Sequence, residues 1–428
     1  MRAVESGCRD WIAAPMDKSA AHIVVAAYRY RQATTGIGGA GGVLQIQEAI
    51  FGEAWRDLRF GYYLAPPQPP EICSVPAILA AAVQAARAAG LDADLPAAKA
   101  LTDLPSSWMG INHYVPEAIA WGRELALRWP QSCFFVHEPA TAVGLASCGA
   151  KYSLVYHHQG PLATEQTQSF GRTLDPGDPP FWSLLERVAM RCAVQVHFPS
   201  AGAREAYLAS AAIQSHQAGT MGEPLFNTIL PAAEQAGEAE AALLRAIPSG
   251  PTLFVSIGLF SPAKGLDRVP ALLAHYRRLS GRPVCWLARG DGTYRDTVLE
   301  AIRRHGLQES AIVVEHRIAN TTLREILERA DGYVMLHRRS IFDLATLEAM
   351  AAGCCTVLSR TTGNLDFNVD GTCLMVEDDG EESAAERLAS ADLADLGRQA
   401  RATFERHFSE IPYRERYGRA FAHLLASR

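Results

Sequence analysis

From about residue 250 to 360, short apolar runs alternate with stretches of helical period. LFVSIG (253–258) reads as a buried strand whose last residue, a glycine, opens a loop. Leu266 to Ser280 then reads as a helix ended by Gly281. VCWLARG (284–290) is a second strand, and TYRDTVLEAIRRHG (293–306) a helix closed by Gly306. AIVVEHRI, TTLREILERA, GYVMLH, FDLATLEAMAAG and CTVLSR continue the alternation. Parallel strands joined by right-handed helical crossovers, a Rossmann-like sheet, satisfy this order most economically.

The first half repeats the logic less cleanly. HIVVAAY (22–28) is a strand candidate leading into a glycine-rich loop and an apolar helix from near Gly42. FFVHE (134–138), YSLVYHH (152–158) and AVQVHF (193–198) read as further buried strands. Residues 60–80, rich in proline and aromatics, show no period and are expected to be irregular. The organisation expected is a flexible leader over 1–21, a first Rossmann-like unit over 22–235 and a second over 236–408. An amphipathic helix over 409–428 would pack back on the first unit. Two such sheets would face one another across a cleft, with ligands at their carboxyl ends.

Composition narrows the function. A chain of 428 residues is long for one core, which agrees with two units. The net charge of −6, without a long basic block, argues against a nucleic-acid partner but leaves room for small phosphorylated ligands. No window of eighteen apolar residues is present, and the first residues lack an apolar signal core, so a cytoplasmic protein is expected. Nine cysteines, scattered without Cys-x-x-Cys or Cys/His metal spacing, read as reduced thiols.

Four segments of the second half occur in fixed order: SIGLFSPAKGLD (256–267), GDGTYRD (290–296), LERADGYVMLHRRSIFDLATLEAMAAG (327–353) and SRTTGNLDFNVDG (359–371). Together they resemble the donor domain of the retaining glycosyltransferase family 4, well over residues 250–375 and more weakly over the first half. The resemblance implies an α/β protein of GT-B fold, with two Rossmann-like domains facing across a cleft. It implies metal-independent transfer of a sugar, with retention, from a nucleotide-diphosphate sugar such as a UDP- or GDP-sugar. No cofactor and no metal are expected. The acceptor, a glycan, a lipid-linked glycan or a small molecule, is not legible, nor is the oligomeric state. Peripheral contact with the inner face of a membrane is compatible with the family.

The same resemblance distributes roles. Lys264, following Gly258 at a strand end and preceding a helix, places a charge on the donor diphosphate. Leu259 stands where relatives often carry arginine, and Arg338 or Arg339 could supply that charge instead. Gly290, Asp291 and Gly292 form a loop beside the nucleotide. Glu348 matches the glutamate that accepts from the ribose hydroxyls. The partner glutamate of the family pair is Ser340 here, within Ser340-Ile341-Phe342-Asp343-Leu344, the stretch expected to line the donor. Ser340 and Asp343 read equally as a helix capping box, or Asp343 as a carboxylate moved towards the donor sugar. In the first half, Gly38, Gly39, Gly41 and Gly42 resemble the loop that brings backbone amides to the phosphate. His157 or His158 would face the donor sugar, with His137 competing for that role, and Glu165 reads either as a cleft carboxylate or, more simply, as a solvated loop acid. Two other readings compete with transfer. A binding subunit without turnover fits the changes at Ser340 and Leu259, whereas an epimerase lacks its cluster of acid and base groups.

Overall fold

The structure is a computed structural model that describes residues 22–27, 40–52, 54–55, 58–63, 75–88, 114–158, 160–169, 173–174, 178–211, 220–230 and 238–427. The leader expected over 1–21 lies outside the described residues. Two six-stranded sheets organise the described residues. The first holds β1 (His22–Ala26), β2 (Ala54–Trp55), β3 (Leu58–Tyr63), β4 (Cys133–Val136), β5 (Tyr152–Val155) and β6 (Gln195–His197). Its order is β2-β3-β1-β4-β5-β6, parallel except for β2 against β3.

The second sheet holds β7 (Thr252–Ile257), β8 (Val284–Arg289), β9 (Ala311–Val314), β10 (Gly332–Met335), β11 (Cys355–Ser359) and β12 (Leu374–Val376). It is wholly parallel, in the order β12-β11-β10-β7-β8-β9. All six residues of β7 are buried, because helices cover both faces of such a sheet; this is why the strand reads as an unbroken apolar run. The chain leaves β7 to one side and later returns to its other side as β10. The carboxyl ends of these two neighbours therefore flank the crevice where doubly wound sheets take ligands. In the first sheet the equivalent crevice lies between β1 and β4.

Residues 60–80 are not irregular throughout. Leu58–Tyr63 is a strand paired in parallel with β1, and a helix begins at Val75. The run LRFGYY carries a glycine and only Phe60 is buried among its described side chains, so local pattern is weak; pairing to β1 supplies the missing order. Leu266 to Ser280 divides into a 3₁₀ turn, Leu266–Arg268, and a helix, Val269–Ser280, ended by Gly281 at φ 66°.

The last helix, Glu410–Ala426, lies against the first sheet. Tyr413, Tyr417, Ala420, Phe421 and Leu424 recur at helical spacing and are buried against Ile23, Val25, Phe51, Phe60 and Phe135. Where the chain passes between the sheets, Phe226 stacks on Phe342 (5.1 Å between centroids) and Phe342 on Phe367 (4.2 Å). Phe408 meets Phe342 edge-on. A second tie joins the halves at the helix Ala201–Ala211. The Asp366 carboxylate accepts from the amides of Ala201 and Gly202 at 3.2 and 2.8 Å, and the Ser200 hydroxyl donates to the Ile341 carbonyl at 2.5 Å.

Candidate active site

The crevice of the second sheet is assembled from three strand-end loops that touch through their backbones. After β7 the chain passes Gly258 and Phe260 into the 3₁₀ turn Pro262–Lys264 and then Gly265, at φ 62°. A Cβ on Gly265 would stand 1.8 Å from the Leu336 carbonyl oxygen, and one on Gly290 would stand 1.9 Å from that of Gly258. Only glycine allows these approaches. Gly292, at φ 138°, lies over the Phe260 carbonyl, while the Phe260 amide donates to Asp291 at 2.6 Å. On the far side, the amides of Arg338 and Arg339 both reach the Ala263 carbonyl. The turn bearing Lys264 is thus fixed between the loops after β8 and β10.

Lys264 Nζ lies 2.6 Å from Asp343 Oδ1 and 3.3 Å from His337 Nε2. Burial, then the neighbouring Lys264 charge, pushes the fully buried His337 down to about 3, so it is neutral and accepts from the ammonium. Burial pulls Asp343 upward, but Lys264, His337 and the hydroxyl of Tyr333 (3.4 Å from Oδ2) outweigh it and hold the carboxyl below its ordinary value. The capping box is corrected by this geometry. The helix runs Leu344–Ala352 with Asp343 as N-cap, and no side chain caps it. Lys264 engages the Asp343 carboxylate, and the buried Ser340 hydroxyl has no partner among the described residues.

Glu348 sits on that helix, half-buried and without a hydrogen-bond or ion-pair partner among the described residues. Burial, then the Asp343 charge, raises it to about 7. Arg338 forks onto Asp267 at 2.8 and 2.7 Å and also reaches the Pro262 carbonyl, so its guanidinium is committed internally. Arg339, half-buried, makes no ion pair among the described residues. Leu259 is 56% exposed. Ile341 and Leu344 each pack against the core of the first half, and Phe342 joins the aromatic stack.

In the first half, Gly38 and Gly39 lie outside the described residues, while Gly41 and Gly42 open the helix Ala40–Phe51. His137, after β4, meets His157, after β5, at 2.9 Å between Nδ1 and Nε2. Burial pushes both down, helped by His157 for His137 and by His158 for His157, which falls to about 3, so the two neutral rings share one hydrogen bond. His158 is different. Its Nδ1 meets Glu165 Oε2 at 2.6 Å, and both groups are buried. Glu165 is therefore no solvated loop acid but the group that orients His158. Below it, Glu186 takes hydrogen bonds from Tyr156 and from the Leu162 amide and is raised to about 7, chiefly by burial. A small recess under Leu162, Trp182 and Leu185 reaches His158 and Glu138.

The two halves converge. The π-helical turn Glu165–Ser169 comes within 8 Å, Cα to Cα, of the turn Pro262–Lys264. That contact sets the segment that begins at Glu165 beside the turn that ends at Lys264. His337 is the site-lining group that sequence reasoning passed over. His337 ends the apolar run GYVML, the sole signal it left. Among the described residues no cluster of His, Cys, Asp or Glu is arranged to hold a metal ion, and no helix is long and apolar enough to cross a membrane.

Over nearly all of its length the chain is similar in structure to sucrose-phosphate synthase from Thermosynechococcus elongatus. The TM-score is 0.64 at 16% identity, over 95% of this chain and 100% of that one. It is likewise similar to an alpha,alpha-trehalose-phosphate synthase (UDP-forming) from Burkholderia vietnamiensis, with TM-score 0.62, 14% identity, and 96% and 99% coverage. The fold is GT-B. A mutant of S. aureus TarM in complex with UDP shares this GT-B architecture at TM-score 0.51 and 14% identity. The match takes in 72% of this chain and spans 58% of the TarM chain. Residues 245–401, which carry Lys264, Asp343 and Glu348, match the family model described as Glycosyl transferases group 1. No curated protein matches the chain.

Proposed function

We propose that the chain is a glycosyltransferase that takes a sugar from a nucleoside-diphosphate sugar and passes it to an acceptor alcohol with retention of configuration. One observation carries the reading. Lys264 lies against Asp343 at the amino end of the helix Leu344–Ala352, beside the crevice between β7 and β10, and Glu348, without a partner among the described residues, is on the same helix inside the segment that matches the family model. Lys264 and Arg339 would take the diphosphate charge with the helix amides, and ionised Glu348 would accept from the vicinal ribose hydroxyls. UDP stands in the TarM complex named above, and a related trehalose-6-phosphate synthase from E. coli holds UDP-2-fluoro glucose, which makes a UDP-sugar the first donor to try.

His158, oriented by Glu165, is the first-half group best set to face the sugar. The departing phosphate oxygen itself takes the acceptor proton, so no protein nucleophile is required. Closure of the cleft excludes water that would otherwise hydrolyse the donor. In this reading residues 22–235 serve the acceptor and 236–408 the donor, and the protein is cytoplasmic, touching the inner face of a membrane where its acceptor is lipid-linked.

The test is thermal melting with UDP, GDP, ADP, TDP and CMP, followed by assay of nucleotide release from the sugar of whichever nucleotide stabilises the protein. A diphosphate should raise the midpoint, and Lys264→Ala and Glu348→Ala should each abolish the shift. No shift from any nucleotide would sink the donor site. One observation favours a second reading, a nucleotide-binding subunit without turnover: Ser340 stands where the family keeps a glutamate. Binding without nucleotide release in the same assay would select it.

A further inference from the structure

Lys264, the group assigned above to the donor diphosphate, already holds an anion. Its ammonium and the Asp343 carboxylate are 2.6 Å apart, with 19% and 15% of the side chains exposed. The pair spans the crevice from the turn after β7 to the residue that opens the helix Leu344–Ala352. That residue stands at the positive end of the helix, where phosphate oxygens would gather, yet its side chain caps no amide. Both ends of the pair are held in place. Tyr333 approaches Oδ2 at 3.4 Å, and the neutral ring of His337 lies 3.3 Å from Nζ.

We propose that Asp343 is a built-in counter-anion: its carboxylate engages Lys264 in the empty site and must surrender it to an incoming diphosphate. The inference rests on the donor reading above and adds regulation to that site. Two charges so close and so little exposed attract far more strongly than surface pairs, so most empty molecules have Lys264 engaged. A ligand that needs Lys264 free binds more weakly in proportion to the fraction of molecules in which it is free. A nucleoside without phosphates makes no demand on Lys264 and escapes that penalty. The counter-anion therefore lowers occupancy by diphosphates without touching recognition of the base and ribose, and it keeps a buried ammonium paired when no donor is bound.

The experiment is calorimetric titration of the full chain with UDP and GDP, and with uridine and guanosine as uncharged controls. At pH 9, where Glu348 is ionised whether or not position 343 is charged, Asp343→Asn should bind the diphosphate about tenfold tighter than wild type, leave nucleoside affinity unchanged, and lose the gain in a Lys264→Met background. Should Asp343→Asn melt early, Asp343→Ser carries the same expectation. If wild type binds the diphosphate and the Asp343 variants bind it no better, the counter-anion is wrong while the donor site stands. A gain that persists without Lys264 overturns it too, because simple repulsion would then account for the effect. If neither wild type nor variant binds any nucleotide, the donor reading itself falls and takes this inference with it.

Discussion

Asp343 opens the amino end of a nine-residue helix and Glu348 sits at its middle, and the two are under opposite pressures. Asp343 has Lys264 to offset its burial and stays ionised; Glu348 has no counter-charge, and Asp343 adds repulsion. With its pKa raised from 4.5 to about 7, Glu348 holds its proton more tightly in the folded chain than in the unfolded one. The resulting stabilisation is complete below about 4.5 and is lost as pH climbs to about 7. Glu348→Gln should remove this loss and make the variant more stable than wild type at pH 8, by on the order of 2 kcal/mol after solvent screening. Buried Glu186, also raised to about 7, slopes the same way and remains in the variant, so the readout is the difference between the two proteins. Urea midpoints at pH 5 and pH 8 that move in parallel would show that Glu348 is ionised throughout. The sequence marked Glu348 and Lys264 through their motif. It could not mark the Lys264–Asp343 pair, because 79 positions separate the partners and nothing local to either predicts the other.

At the scale of elements, the helix Ala201–Ala211 is where the first half grips the second. Its first amides point at Asp366, and Gly202 lies so close to the strained turn at Thr362 (φ 28°) that a Cβ would stand 2.2 Å from the Thr362 carbonyl oxygen. Asp366→Ala removes a charged acceptor from two orphan amides and should cost about 1–2 kcal/mol. Gly202→Ala forces two backbones apart and should cost about 1–3 kcal/mol. Since both changes release one contact, the double variant should cost less than the sum by more than about 0.5 kcal/mol in urea unfolding. Strict additivity would mean that the two residues act on separate contacts. The elements themselves were legible unevenly, and burial explains the difference. Strands such as β7 and β10, buried along their whole length, left continuous apolar runs bounded by glycine. β3, half of whose described residues are only partly covered, left none, and the tie at Asp366 joins residues 164 positions apart.

For the whole molecule, the order of the chain and the order of its cores differ. The helix Glu410–Ala426 follows the second sheet in sequence yet completes the core of the first, with Phe421 packed on Phe51, Phe60 and Phe135 at 5.3, 5.0 and 4.9 Å. The two passages between the sheets, near Phe226 and Phe408, meet at Phe342, one residue before Asp343. The first half therefore depends on chain that has already passed through the second, whereas the second sheet's core draws nothing from that last helix. Phe421→Ala should cost about 3–5 kcal/mol, and the cost should fall on one side. In hydrogen exchange, amides of β1 and β4 should lose protection while those of β7 and β8 keep theirs. Equal loss across both sheets would show that the aromatic stack at Phe342 couples them into one cooperative unit. Under the proposed function, a nucleotide bound at Lys264 would then stabilise the first half as much as the second.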